Sequence, residues 1–195
     1  MQPIVKSARV AGAWYLLLVV TGSAYFIAPR SANSTLNDIH IVLELASTIV
    51  FAFLVRALYR LLKGVNGRYA LTMVAFVLVS VTISLFDGLN EIAALFNKDQ
   101  VHTLTTTYNW FLFGLWLFPF GLLVYKSGFI PRIFGVLLIA NGFAYVAEET
   151  TSLLYASYAN VVSLVLLLPM FLGEFSIMGW LLVKGASVQS VNAPS

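Results

Sequence analysis

The sequence predicts an all-α integral membrane protein, a bundle of six transmembrane helices with both termini in the cytoplasm. Three observations carry that prediction. Of 195 residues, 60% are apolar and only 10% are charged, whereas a soluble domain carries about 25% charged residues and needs them to cover its surface. Six apolar segments, each of spanning length at about 20 residues or more, lie between short polar breaks. The basic residues are also distributed unequally between the two sets of breaks. Together these exclude a water-soluble globule and leave no room for a separate soluble domain, so residues 1–185 read as one transmembrane domain.

The first segment, 10–28, ends at Pro29, and the Asn-Ser-Thr run of the following loop suits a turn and a helix cap. Its basic start at Lys6 and Arg9 resembles a signal peptide, but its apolar stretch exceeds the roughly 7 to 15 residues of a signal core, so it reads as an uncleaved helix. The second segment, 39–62, stops at Lys63-Gly64. The third covers 69–96, the fourth 104–125, and Lys126-Ser127-Gly128 breaks the pattern. Pro131 suits the first turn of the fifth, which runs to Ser152. The sixth is 159–183, and the small, polar tail 186–195 has too little apolar surface to fold.

Lys6, Arg9, Arg56, Arg60, Lys63, Arg68, Lys126, Arg132 and Lys184 fall on one side of this arrangement, against Arg30 and Lys98 on the other. Basic residues mark the cytoplasmic side. The excess therefore places both termini inside, and it accounts for the net charge of +3 without nucleic acid. With no cysteine, disulfides, thiolate ligands and cysteine nucleophiles are excluded together.

Intramembrane carboxylates are the informative residues, because a charge at the helix centre costs at least about 2.5 to 3.5 kcal/mol. His40, Glu44 and Ser47 stand at helical offsets on the second segment. Ser80, Ser84, Asp87 and Glu91 do so on the third, and Asn141, Tyr145, Glu148 and Ser152 on the fifth. Asn109, with Thr105 and Tyr108, adds polar groups to the fourth. The acidic end of each stripe faces outward, so the stripes are expected to meet in an outward-facing acidic pocket where Glu44, Asp87 and Glu148 converge. Such a pocket would take a cation or small polar molecule, with His40, Glu44 and Asp87 as candidate ligands of a weakly bound divalent cation. Glu174, the deepest carboxyl, is expected to be neutral and hydrogen-bonded within the bundle, with Asn141 at similar depth as its natural partner. Trp14, Trp116 and Trp180 are read as belt anchors near the cytoplasmic ends, and Trp110 near the outer end.

Gly114, Gly121, Gly128, Gly135 and Gly142 recur every seven residues. Within each helix that step keeps two glycines on one face, so their expected role is close helix packing. Pro119 and Pro169 are placed to bend their spans. No zincin motif, no paired Glu-x-x-His and no G-x-S-x-G turn occurs, so no catalytic residue and no resident cofactor is assigned.

The stretches Arg9 to Leu17, Leu58 to Lys63, Tyr125 to Gly135, Gly173-Glu174-Phe175 and Trp180-Leu181-Leu182 resemble a bacterial membrane family catalogued as domain of unknown function 4386. The resemblance implies a multi-span protein of a bacterial cytoplasmic membrane and makes Gly173-Glu174 part of a family pattern. It implies no activity. Three functions are open: binding or permeation through the acidic pocket, an accessory protein whose polar stripes lock helices together, and an intramembrane metal-dependent hydrolase. The last would be similar in architecture to the ceramidase and adiponectin-receptor group, but that group has seven spans and several metal-binding histidines, and the chain departs on both counts.

Overall fold

A computed structural model describes residues 3–27, 34–96 and 111–186. The described residues are helical apart from short turns and contain no strand. The helices are α1 (Pro3–Ile27), α2 (Ser34–Leu62), α3 (Gly67–Phe96), α4 (Phe111–Lys126), α5 (Arg132–Leu154) and α6 (Ala159–Val183), with a 3-10 turn at Ala156–Tyr158 before α6. Lipid offers no partner for backbone N–H and C=O groups, so apolar runs of this length must satisfy them internally as helix. Five of the six helices are long and apolar enough to cross a membrane. The described part of α4 is shorter, because residues 104–110 of the fourth predicted span lie outside the described residues.

The breaks between helices follow local chemistry. Asn66 caps α3, its side-chain oxygen accepting from the N–H groups of Arg68 and Tyr69 at 3.0 and 3.1 Å. Gly128 adopts a left-handed φ of 72° in the turn between α4 and α5, and Pro131 occupies the cap position of α5, one residue before its first turn. Gly185, at φ 71°, ends α6 by donating its N–H to the Trp180 carbonyl at 3.0 Å. A break in α4 falls at Trp116, three residues before Pro119, whose missing N–H removes a bond from the preceding turn. Pro169 is carried within α6 without ending it. Of the predicted tail, Ala186 is buried among core residues, and residues 187–195 lie outside the described residues.

Each helix packs on the next in sequence, and α6 closes back on α1. α4 occupies the interior. Leu117, Phe120, Leu123 and Val124 are fully buried, the Trp116 ring meets Phe51 of α2 at 5.3 Å, and Phe120 meets Tyr15 of α1 at 6.5 Å. Trp116 is therefore a core residue and not a belt anchor. Its ring is 1% exposed, because the helix that carries it runs through the middle of the bundle. Trp14 and Trp180 are half-buried near the basic end, stacked on Phe53 and tilted against Phe134.

The glycine recurrence is a packing seam. A Cβ on Gly121 would stand 2.8 Å from the Gly135 carbonyl, and one on Gly135 would stand 2.7 Å from the Gly121 carbonyl. Gly114 and Gly142 repeat this reciprocity at 3.1 Å. These glycines let the backbones of α4 and α5 touch, which a side chain at any of the four would prevent.

Candidate functional site

Two groups of polar side chains lie inside the bundle, and the order of packing separates them. The first is on α2 and α3, which are neighbours. His40 and Asp87 are buried, Ser80 and Thr48 are buried beside them on their helices, and Glu44 and Ser84 are half-buried. The Ser47 and Thr48 hydroxyls donate to the Glu44 carbonyl at 2.8 and 2.9 Å, so part of that stripe is satisfied by its own helix. His40, Glu44, Ser80, Ser84 and Asp87 are all engaged in interactions. Glu91 falls in the last turns of α3, and Asn109 lies outside the described residues.

The second group is on α5, α6 and α1, and Glu174 is its centre. The Asn141 amide and the Tyr145 hydroxyl donate to Glu174 Oε1 at 3.1 and 3.0 Å, and the Tyr15 hydroxyl donates to Oε2 at 3.1 Å. Three donors from two other helices thus converge on one carboxyl. Two features bring them there. The i, i+4 spacing of Asn141 and Tyr145 places both on the face of α5 that meets α6. Gly173, next to Glu174, lets α6 approach until a Cβ there would be 2.8 Å from Asn141 Cβ. The bond between Asn141 and Glu174 is the one expected from their depths, each nine residues from the basic end of its helix, about 13 Å along the axis. Tyr15 was not expected. It lies in an apolar run with Ala11 and Val19 one turn away on either side, so no polar stripe marks it.

The three carboxylates expected to converge stand on two different helix pairs. Glu148 is turned to α6, where its Oε1 accepts from the Ser163 hydroxyl at 2.7 Å, while Glu44 and Asp87 belong to the α2–α3 pair. α5 packs against α4 and α6. A face can be read from periodicity, but which faces meet is decided by the packing order, and here α2 packs on α3 while α5 packs on α6. Among the described residues no three His, Asp or Glu side chains are grouped so as to hold a metal ion, and His40, Glu44 and Asp87 do not make such a set.

The Glu174 group offers oxygen chemistry only: one carboxyl, two phenol hydroxyls and one amide. Asn141 is fully buried, and its Oδ1 has no hydrogen-bond partner among the described residues. Buried polar atoms are nearly always paired. An acceptor without a donor beside a carboxyl leaves a place for a proton or a small cation.

Comparison with other proteins assigns no activity. An uncharacterized protein of Archaeoglobus fulgidus is 30% identical over 142 residues, which cover 69% of this chain and 76% of that protein. No solved structure matches the chain. The family described as domain of unknown function DUF4386 matches residues 10–185, nearly the whole helical bundle, and the chain belongs to that family.

Proposed function

We propose that this multi-pass membrane protein binds a proton or a small monovalent cation at Glu174, with Tyr15, Asn141 and Tyr145 completing the site. One observation carries the reading: an intramembrane carboxyl gathers donors from two neighbouring helices and adjoins a buried amide oxygen that has no partner among the described residues. Ionisable groups inside a bilayer cost several kcal/mol unless paired, and they mark ion sites by default. A protonated Glu174 donates to Asn141 Oδ1, whereas a cation held between the carboxylate and Oδ1 replaces that proton. A single carboxylate with neutral oxygens suits a monovalent charge; a divalent ion wants six or more oxygens and further carboxylates. The cation-binding function expected for the outer pocket is thereby moved to a deeper carboxyl.

Purified protein is to be unfolded thermally in sodium, potassium or choline chloride at fixed ionic strength. At a hundredfold excess over its dissociation constant the bound cation stabilises the fold by about 2.7 kcal/mol, an increment expected for the wild type and absent from Glu174→Gln. If no alkali cation moves the wild-type midpoint, and wild type and Glu174→Gln change in stability identically with pH, the second reading stands. In that reading the protein is an accessory membrane component and Glu174 is only a tie between helices, which is favoured by both carboxyl oxygens already accepting hydrogen bonds.

We propose a bacterial cytoplasmic membrane as its place, from the family resemblance, and both termini inside, on the strength of the nine basic residues gathered at one end of the helices. The chain has no cysteine, so single cysteines report cleanly. Residues 66 and 127 should be protected from an external thiol reagent and residue 34 labelled. The reverse pattern would invert the topology.

A further inference from the structure

At the basic end of the bundle a groove of about 340 Å³ lies between α1 and α2, lined by Lys6, Val10, Trp14, Phe53, Arg56 and Arg60 among others. Its chemistry changes along its length. Along the helices Lys6 and Arg60 stand nearest the basic end and Arg56 one turn further on, and the stacked rings of Trp14 and Phe53, 4.9 Å apart, stand furthest from it. From Lys6 to Trp14 is eight residues, about 12 Å of helix. Three of the other basic residues at this end have partners outside the groove. Arg9 donates to the Val183 carbonyl at 3.2 Å, Lys126 lies 4.8 Å from the Tyr69 ring centroid and Arg132 lies 5.6 Å from that of Tyr125. The three cations of the groove are exposed, and no carboxylate is among the residues that line it.

We infer that this groove is a binding site for one anionic phospholipid, its phosphate held by Lys6, Arg56 and Arg60 and the start of an acyl chain lying on Trp14 and Phe53. Three like charges facing one groove repel unless an anion is shared, and arginine is suited to phosphate because its fork of donors matches the oxygens in pairs. Free phosphate would satisfy the basic end and leave the aromatic rings unused. A lipid satisfies both, and the charged end of the groove lies at the headgroup level, where Trp14 marks the membrane interface. Topology alone does not require this arrangement, since Lys63, Arg68, Lys126, Arg132 and Lys184 supply basic charge at the same end without entering the groove. The inference stands independently of the reading of Glu174.

The test is lipid retention by full-length protein released from bilayers of mixed phosphatidylglycerol and phosphatidylcholine, counted by native mass spectrometry. Each basic contact near a membrane surface corresponds to about a fivefold preference for anionic lipid. The wild type should therefore retain one phosphatidylglycerol at least about fivefold over phosphatidylcholine. Val10→Trp fills the groove and leaves every charge in place, and the double variant R56Q/R60Q empties it of charge. Both should lose the preference, one by shape and one by electrostatics, so a folding failure of either leaves the other as the measure. Equal retention by wild type and a folded variant would overturn the site. Complete displacement by inorganic phosphate would overturn the lipid assignment in favour of a soluble anion.

Discussion

α5 is held on its two sides by different means. Toward α4 the contact is backbone on backbone, with Gly114 against Gly142 and Gly121 against Gly135. Toward α6 it is a polar cluster, in which Asn141 and Tyr145 of α5 bond to Glu174 and Ser163 bonds back to Glu148. Lipid tails are as apolar as leucine, so burying leucine against leucine gives little drive for helices to associate, and close packing and interhelical hydrogen bonds take its place. The two seams use one of these each, with one overlap: Gly173 brings α6 close enough to α5 for Glu174 to reach Asn141. Close approach comes first, and the short side-chain bonds depend on it.

The largest effect should come from breaking the glycine seam. In Gly135→Val the new Cβ meets the Gly121 carbonyl and the Tyr125 amide nitrogen at 2.7 Å each. Backbone atoms cannot rotate away, so α4 and α5 must separate. Overpacking of this kind costs about 3 kcal/mol or more. Gly179→Ala, where a Cβ meets nothing within 4 Å, should be neutral or stabilising by up to about 1 kcal/mol through helix propensity. Unfolding midpoints in graded denaturing detergent compare the two directly. A Gly135→Val protein as stable as Gly179→Ala would mean that the seam contributes nothing.

Both seams left traces in the sequence, of unequal value. The seven-residue step exposes which glycines share a face, because two turns of helix return a residue to nearly the same side. The i, i+4 spacing exposes the Asn141–Tyr145 face in the same way, and equal depth paired Asn141 with Glu174. Periodicity carries no information about neighbours, however. The stripe of His40 and Glu44 and the stripe ending in Glu148 look alike in sequence, yet one meets α3 and the other α6. Tyr15 shows the same limit from the other side: a single hydroxyl in an apolar helix acquires its role only when α6 closes on α1, where a Cβ on Gly12 would lie 2.7 Å from the Leu182 nitrogen. Its only mark in the sequence is depth, six residues beyond Arg9, whose side chain meets the last turn of α6. Trp116 reads as an interface residue from its distance to the end of the span, and only packing shows that it is buried in the bundle.

The polar seam separates shape from chemistry at one residue. Glu174→Leu should destabilise by about 1 to 3 kcal/mol, since the Tyr15, Tyr145 and Asn141 donors lose their acceptor. Glu174→Gln should be close to silent. Its carbonyl oxygen in place of Oε2 can still accept from Tyr15, and its amide in place of Oε1 can donate to Asn141 Oδ1 once the Asn141 amide flips, with the Tyr145 hydroxyl turning to accept. Oδ1 has no partner among the described residues of the wild type. Stability and cation dependence therefore part company in the Gln variant, which keeps the first and loses the second. A Gln variant as unstable as the Leu variant would show that the carboxylate itself, and not its hydrogen-bonding shape, holds the seam.

Tyr15→Phe should give the smallest change and locates the limit of the polar seam. The ring remains fully buried against Phe120, so no cavity opens and only the bond to Glu174 Oε2 is removed. Interhelical side-chain bonds in membranes average about 0.6 kcal/mol, because the separated helices find other partners for the same groups. The α1–α6 contact also retains the close approach at Gly12. A loss near that average would make Tyr15 an added bond on a contact already set by glycine. A loss above about 2 kcal/mol, comparable to Glu174→Leu, would instead make Tyr15 the residue that fixes Glu174 in place, and the polar cluster would then be a three-helix tie in which α1 matters as much as α5.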